Sequence, residues 1–349
     1  MLLRGAPRAS GMRRVVGVMP MACRGKSGVA SSPAVVQVER RPDGIAHVVL
    51  SRPSKMNALS MDMFRSIRDA AKSLIADSSV RVVVISGEGR AFCAGLDLKG
   101  LISEPLSAKA NMEELLHRPE GEVSNLAQDV GYLWRKVPCP VITALHGVCF
   151  GGGLQIALGA DIRIAHPSTK LSVMEAKWGL VPDMSATVTL PELVPKDVAM
   201  ELTLTGRIFD GEEALKLGLV TRLSEQPLES ALKLAKEIAS KSPDAAAAAK
   251  RLLHATYTDA PDDARNLRLE TELQKQLIGG WNQAAMVAKG LGAPSFLQPS
   301  MANRSGQWDE EADAQAEAEV RRMLDGSLTP SAASTSTTPS SGASSSSAM

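Results

Sequence analysis

The sequence predicts an α/β fold built on a parallel sheet. Short apolar β-branched runs, such as residues 80–86 and 141–145, alternate with segments of helical periodicity. Such alternation is typical of parallel strands joined by right-handed helical crossovers. The chain has 349 residues, of which 44% are hydrophobic and only 3% aromatic, so its core is expected to consist of closely packed small aliphatic side chains.

The first predicted element is a hairpin, because residues 36–50 alternate in polarity around Pro42, Asp43 and Gly44. The next elements are predicted as a helix over 60–77, a strand over 80–86, a helix over about 124–135, a strand over 141–145, a helix over 154–159, and strands over 162–165 and 170–173. Beyond Leu223 only helices are predicted, over 228–240, 243–255 and 262–278.

Two glycine-bearing turns follow predicted strands. One is Gly87-Glu-Gly-Arg-Ala-Phe-Cys-Ala-Gly-Leu-Asp-Leu98, and the other is Gly151-Gly-Gly153, which precedes a predicted helix. Glycines leave backbone N–H groups open to an incoming group, and such groups stabilise negative charge. Alone, three glycines fit a tight packing turn better than a binding site, and their spacing is not that of a dinucleotide fingerprint.

Together, the two turns resemble the signatures of the crotonase superfamily, also called the enoyl-CoA hydratase/isomerase family. The resemblance runs collinearly from about Val36 to Phe296 and includes Arg52-Pro-Ser-Lys-Met-Asn-Ala-Leu59 and Leu204-Thr-Gly-Arg-Ile-Phe-Asp-Gly-Glu-Glu-Ala214. It implies a crotonase-like spiral of ββα units over residues 33–223. A C-terminal helical region over 224–299 would form homotrimers, often stacked as hexamers. The family's usual Glu-Lys-Arg ahead of the closing Phe296 is missing.

The resemblance also implies the site residues. The backbone amides of Leu96 and Gly152 would form an oxyanion hole for a thioester enolate, and Glu175 would be the base. The family's hydratases carry a second glutamate where this chain has Gln155, which can position water or substrate but cannot transfer a proton at neutral pH. A straightforward hydratase is therefore not expected.

Asp183 provides a second carboxylate. It lies eight residues after Glu175, which is the pattern of the family's Δ3,5-Δ2,4-dienoyl-CoA isomerases, although these carry an Asp where this chain has Gln155. The alternative is that Asp183 caps a helix starting near Met184. Without the resemblance, Glu175 itself would read as a solvated surface group.

The substrate implied is a coenzyme A thioester, bound by Lys55, Ala94 and Leu96. A flexible ammonium such as that of Lys55 suits phosphate, although a solvated lysine is the alternative. We expect no metal, flavin or nicotinamide cofactor, because the oxyanion hole and the thioester supply the polarisation. The four cysteines lack metal-ligand spacing and are expected to be reduced thiols in an intracellular compartment.

The chain ends differ in composition from the core. Residues 1–32 are rich in Arg, Ser and Ala and contain no acidic residue, as in an organellar transit peptide. We expect the mitochondrial matrix, with plastid or peroxisome as alternatives and a disordered basic tail as another interpretation. Residues 300–349 are expected to form a polar helix over 308–324 and a disordered Ser/Thr/Ala-rich tail.

The formal net charge of +1 argues against nucleic acid or a membrane surface as the main partner. The leading interpretation is an enzyme that shifts double bonds of (di)enoyl-CoA through a stabilised enolate in fatty-acid β-oxidation. One alternative is an enoyl-CoA hydratase that adds water to 2-enoyl-CoA. An alternative of another class is an RNA-binding or catalytically silent crotonase-like protein.

Overall fold

The computed structural model describes residues 34–101, 105–257 and 262–304. The predicted transit peptide over 1–32, the polar helix over 308–324 and the Ser/Thr/Ala-rich tail lie outside the described residues. The strands are β1 (Val36–Arg40), β2 (Ile45–Leu50), β3 (Val82–Gly87), β4 (Val141–Leu145), β5 (Val148–Phe150), β6 (Ile162–Ala165), β7 (Lys170–Ser172), β8 (Phe209–Asp210) and β9 (Arg222–Leu223).

The described helices match the predicted ones and add several more. They are α1 (Met61–Ile75), α2 (Leu98–Leu101), α3 (Pro105–Leu116), α4 (Leu126–Lys136), α5 (Gly152–Leu158), α6 (Ala186–Thr189), α7 (Lys196–Thr205), α8 (Gly211–Leu217), α9 (Pro227–Ala239), α10 (Pro243–Thr256), α11 (Asp263–Leu277) and α12 (Trp281–Gly290). Among the described residues, no helix combines the length and apolar character needed to cross a membrane.

The main sheet has the strand order β1-β2-β3-β4-β6-β9. The β1–β2 hairpin is antiparallel, and every other neighbouring pair in this sheet is parallel, as predicted for an α/β fold. A second sheet, β5-β7-β8, was not predicted. Its strand β7 corresponds to the strand predicted over 170–173, but β5 and β8 have only three and two residues, too few for a period of two to be recognised in the sequence.

Both faces of the central strands are covered. Val83 and Ile85 of β3 join the large core cluster with Phe64 of α1 and Trp134 of α4. Val82 and Val84 point to the other face, where alanines of α9 pack against them. Burial on both faces explains why β3 reads as a continuous apolar run.

Residues that follow the C-terminal helices form hydrogen bonds with α12 and with the core. The Asn282 side chain of α12 accepts a hydrogen bond from the Ala302 amide at 2.8 Å. Arg304 is buried, and its guanidinium donates to the Asp77 carbonyl at 2.6 Å. The packed body therefore extends through Arg304, beyond residue 299, where the helical region was expected to end.

A buried ion pair joins α10 to the sheet. The Lys250 Nζ lies 2.8 Å from Asp161 Oδ2, and Asp161 Oδ1 lies 2.8 Å from His254 Nε2. Burial alone would raise the pKa of Asp161, but the Lys250 charge and the bonds from Lys250 and His254 hold it below its usual value. Asp161 is thus a structural residue at the end of the α5–β6 connection.

Replacing Lys250 with methionine is expected to lower the free energy of unfolding by about 3–5 kcal/mol. Lys250→Met keeps most of the side-chain volume but leaves the Asp161 carboxylate without its ammonium partner. Chemical denaturation would measure the loss. Lys236→Met, at an exposed position of α9, is the control and should change stability by less than about 0.5 kcal/mol. Equal effects of the two substitutions would contradict this role for the ion pair.

Candidate active site

Backbone hydrogen bonds hold the two glycine-bearing turns side by side. The Cys93 amide donates to the Val148 carbonyl at 3.1 Å, and the Phe150 amide donates to the Cys93 carbonyl at 3.0 Å. Leu59 braces the first turn from the other side, since its amide donates to the Gly95 carbonyl at 2.8 Å. The turns that the sequence separates by more than 50 residues therefore form one unit.

This close approach depends on glycine. Gly95 has a φ of +88°, and a Cβ there would lie 2.8 Å from the Phe150 carbonyl oxygen and 3.8 Å from the Gly152 nitrogen. A Cβ on Gly152 would lie 2.6 Å from the Met184 Sδ and 2.8 Å from the Leu59 Cδ1. Since any side chain would push the two turns apart or displace these neighbours, glycine keeps the backbone open at the site.

The amides of Leu96 and Gly152 are available to a ligand. Neither N–H makes a hydrogen bond within the described residues, and both residues line one cavity of about 220 Å³. Two unpaired backbone donors facing one cavity are the arrangement that stabilises a developing oxyanion. Ala94, the residue expected to bind coenzyme A together with Leu96, also lines this cavity.

The rest of the cavity wall is mostly apolar. Helix α3, which was not among the predicted helices, supplies three of the side chains. The apolar lining residues are Phe64, Leu98, Met112, Leu115, Leu116, Ala127, Phe150, Met174, Trp178, Leu180 and Met184. A cavity of this character suits an acyl chain, with the few polar groups at one end fixing its orientation.

Glu175 is buried and faces the cavity at the start of a 3₁₀ turn, Glu175–Trp178. Its Oε1 accepts a hydrogen bond from Gln155 Nε2 at 2.7 Å, whereas its Oε2 has no partner among the described residues. Burial raises the pKa of Glu175, and the Asp183 charge adds to this rise, although hydrogen bonds from backbone amides and Gln155 oppose it. A carboxyl that lines the cavity and has a raised pKa suits proton transfer near neutrality.

Asp183 lines the same cavity. The residue as a whole is exposed, but the cavity walls remove part of the water from its carboxyl, which raises its pKa, and its own backbone amide limits the rise. Helix α6 begins at Ala186 with Ser185 in the N-cap position. The interpretation of Asp183 as a helix cap is therefore wrong, and Asp183 instead forms part of the cavity wall.

Gln155 is only 2% exposed and is not among the residues that line the cavity. Its Oε1 accepts hydrogen bonds from the amides of Met184, at 2.8 Å, and Ala186, at 3.1 Å. Its Nε2 donates to Glu175. Contact with water or substrate was expected, but all three hydrogen bonds go to the protein.

Ser185, between the two amides held by Gln155, is strained. Its φ of +81° lies in the left-handed region, and its buried Oγ has no hydrogen-bond partner among the described residues. That backbone conformation costs a non-glycine residue about 1–2 kcal/mol. An unsatisfied buried hydroxyl costs about 1–3 kcal/mol more.

Ser185→Gly is expected to raise the free energy of unfolding by about 1–2 kcal/mol, because glycine adopts a positive φ without strain and removes the hydroxyl. Thermal unfolding would show this as a higher Tm. Ser185→Ala is the matched control, since it removes the hydroxyl and keeps the strain, and it should be the less stable of the two variants. A glycine variant less stable than the alanine variant would show that the backbone here is not strained.

Several neighbours have structural roles. Asp97 accepts hydrogen bonds from the Arg52 guanidinium at 2.8 Å and from the Gly100 amide at 3.2 Å, so it braces the first turn. His146 Nε2 lies 2.9 Å from the Gly89 carbonyl oxygen, which is consistent with a structural imidazole. Lys55 is exposed, and its charge helps to lower the pKa of Asp97.

Comparison with known proteins identifies the family. Residues 40–291 match the family model of the enoyl-CoA hydratases/isomerases. The chain belongs to this family. The enoyl-CoA hydratase of Thermoplasma volcanium GSS1 has a similar structure, with a TM-score of 0.63 and 29% identity over 73% of this chain and 97% of that one. The predicted crotonase fold is confirmed.

Two relatives in the family are isomerases. The peroxisomal Δ(3,5)-Δ(2,4)-dienoyl-CoA isomerase of Arabidopsis thaliana is 31% identical over 252 residues, which cover 71% of this chain and 87% of that protein. The mitochondrial Δ(3,5)-Δ(2,4)-dienoyl-CoA isomerase of Pongo abelii is 35% identical over 210 residues, 59% of this chain and 64% of that protein. The chain is thus similar to a hydratase in structure and to two isomerases in sequence.

Proposed function

We propose that this chain converts Δ3,5-dienoyl-CoA to Δ2,4-dienoyl-CoA through a thioester dienolate, as a step of fatty-acid β-oxidation. The observation that carries the proposal is that Glu175 and Asp183 line one cavity, whereas position 155 is an amide bonded to the protein. Two carboxyls at the cavity allow one proton to be removed and another to be delivered. Adding water by a pair of carboxylates at positions 155 and 175 is not available to this chain.

In the proposed reaction, the carboxylate of Glu175 removes a proton from C2 of the bound thioester. The electron pair spreads over the thioester oxygen, C2, C4 and C6. The amides of Leu96 and Gly152 stabilise the negative oxygen, and Asp183 delivers a proton to C6. The double bonds then lie at C2 and C4, and no water enters the product.

The raised pKa values of both carboxyls suit a pair of groups that exchange protons with the substrate. Burial raises the pKa of Glu175, so its carboxylate is a stronger base than an ordinary glutamate. Partial burial raises the pKa of Asp183, so its carboxyl keeps a proton to a higher pH than an ordinary aspartate. Both groups therefore titrate closer to neutral pH than an ordinary glutamate and an ordinary aspartate do.

The proposal also covers how the chain binds coenzyme A and how many copies of it assemble. Ala94 and Leu96 would contact the thioester end, and Lys55 the phosphates. Self-association into homotrimers or hexamers is supported by exposed apolar side chains such as Trp178, 61% exposed, and Val181, 73% exposed. Sedimentation of the full chain would show three or six copies, and a monomer would contradict this.

A mitochondrial matrix location is supported by the composition of residues 1–32 and by the mitochondrial relative from Pongo abelii. A fluorescent reporter carrying residues 1–32 should enter mitochondria. Import into plastids or peroxisomes, or no import, would contradict this location.

The activity is tested by giving the full chain a Δ3,5-dienoyl-CoA and, separately, a 2-enoyl-CoA. The proposal expects conjugation of the diene with the thioester, visible as a rise in ultraviolet absorbance, and little hydration of the 2-enoyl-CoA. Strong hydration without diene conjugation would favour the hydratase alternative, in which Glu175 and Gln155 handle the water. Turnover of neither substrate would favour a silent or binding protein.

A further inference from the structure

Gln155 connects the two segments that carry the proposed proton-transfer groups. Its amide nitrogen lies 2.7 Å from Glu175 Oε1, and its carbonyl oxygen holds the amides of Met184 and Ala186, the first of which directly follows Asp183. Gln155 itself is buried in α5, at the floor of the site. One side chain thus bridges the Glu175 turn and the Asp183 segment.

The direction of the amide is fixed by these partners. Backbone N–H groups can only donate, so the atom facing Met184 and Ala186 must be the carbonyl oxygen. The NH₂ group is then directed at Glu175 and can only donate to it. The arrangement therefore favours a Glu175 that accepts: its Oε1 is occupied by this hydrogen bond, and its buried Oε2 has no partner among the described residues.

We propose that Gln155 is a positioning residue that fixes the Glu175 carboxylate toward the cavity and ties it to the Asp183 segment, so that Asp183 supplies the second proton-transfer group. The proposal deepens the proposed function and rests on it. Gln155 touches no reacting atom, since it does not line the cavity. Its effect on the reaction passes through Glu175 and through the Met184–Ala186 backbone.

The bridge also holds a strained segment. Ser185, with its φ of +81°, lies between the two amides that bond to Gln155. A Cβ on Gly131 of α4 would lie 2.4 Å from Ser185 Oγ, so α4 packs directly against this residue. Without the Gln155 carbonyl, two buried amides would lose their acceptor and the segment would be free to relax away from its strained conformation.

The surroundings of Glu175 determine the expected pH dependence. The charged group that acts on it is Asp183, which raises its pKa, and burial raises it further. The hydrogen bond from Gln155 and those from the amides of Met174 and Glu175 lower it. Removing the Gln155 donor should therefore raise the pKa of Glu175. The acid limb of the pH profile of kcat/KM, where activity falls as Glu175 becomes protonated, should then move to higher pH.

Two substitutions distinguish the hydrogen bond from Gln155 to Glu175 from the hydrogen bonds that Gln155 accepts from Met184 and Ala186. Gln155→Met keeps the length and removes all three hydrogen bonds. It should move the acid limb up by about one pH unit and lower the plateau kcat by about 10- to 100-fold. Gln155→Glu keeps the acceptor for Met184 and Ala186, and so protects the fold, but places a second carboxyl beside Glu175. Its acid limb should lie higher still, because the two carboxyls share a proton.

Asn282→Leu is the matched control. Asn282 is another buried amide, 2% exposed, and it bonds to Asp244 and to the Ala302 amide far from the proposed reacting groups. Asn282→Leu should lower the Tm, as Gln155→Met should, but it should not shift the acid limb of the pH profile. A purely structural Gln155 would behave like Asn282.

The proposal would be overturned by an unmoved acid limb and an unchanged kcat in Gln155→Met. It would also be overturned if Gln155→Glu gained hydration of 2-enoyl-CoA, since position 155 would then face the substrate. The pKa of Glu175 can be followed without any reaction by carbon-13 NMR of labelled glutamate carboxyls, assigned with Glu175→Gln. Suppose that the pKa of Glu175 rises in Gln155→Met but that the wild-type chain does not isomerise the dienoyl-CoA. The positioning role of Gln155 would then stand, and the proposed function would be rejected.

Discussion

Glu175→Gln is expected to lower kcat for dienoyl-CoA isomerisation by about 10²- to 10⁴-fold, the range for loss of a general base. The substituted amide keeps the volume of the side chain and can still accept the Gln155 hydrogen bond. It cannot remove the C2 proton. The rate is measured by the absorbance of the conjugated product, and substrate binding should change much less than kcat.

The stability of the same variant provides a check on folding. In the folded protein, burial raises the pKa of Glu175 above its unfolded value, so ionisation destabilises the fold once the pH exceeds the unfolded pKa. Glu175→Gln removes that cost. The difference between the Tm of Glu175→Gln and that of the wild type should therefore grow as the pH rises from the pKa of an ordinary glutamate to the raised pKa of Glu175. Above that pH the difference should stay constant. Glu122→Gln, at an exposed position, is the control for both measurements. Near wild-type turnover by Glu175→Gln would reject Glu175 as the base.

Asp183→Asn is expected to lower isomerisation by a similar factor, about 10²- to 10⁴-fold, for a different reason. Glu175 and the amides of Leu96 and Gly152 remain, so the dienolate still forms. Delivery of a proton to C6 fails because an amide has no proton to transfer at neutral pH.

The two variants differ in one further observable. In heavy water, Asp183→Asn should still exchange the C2 hydrogen of the substrate for deuterium, whereas Glu175→Gln should not. Asp69→Asn, an exposed carboxyl paired with Arg68, serves as the control. Exchange that survives in Glu175→Gln and disappears in Asp183→Asn would reverse the two roles.

Elements with enough periodic residues could be predicted from the sequence. The strands β3 and β4 are mostly apolar because they are buried on both faces. Helix α1 begins where expected, after Ser60, whose side chain accepts from the Met63 amide. The short strands β5, β8 and β9 exist because of their neighbours in the sheets, and so carry too little signal of their own.

The two glycine-bearing turns and Glu175 were recognisable because they match the pattern of the enoyl-CoA hydratase/isomerase family. The orientation of Gln155 was not recognisable, because it depends on two backbone amides about 30 residues away in the chain. The left-handed Ser185 was hidden for a similar reason, since serine rarely adopts a positive φ and tertiary contacts impose it here. The cavity wall from α3 depends on packing that no local pattern encodes.

The most direct test of the account is the position of deuterium in the product formed by the full chain from Δ3,5-dienoyl-CoA in heavy water. The account predicts a Δ2,4-dienoyl-CoA with deuterium at C6, delivered by the exchangeable carboxyl of Asp183, and no gain in mass from an added water. A hydroxyacyl-CoA product, or deuterium placed only at C4, would contradict a proton transfer shared by Glu175 and Asp183.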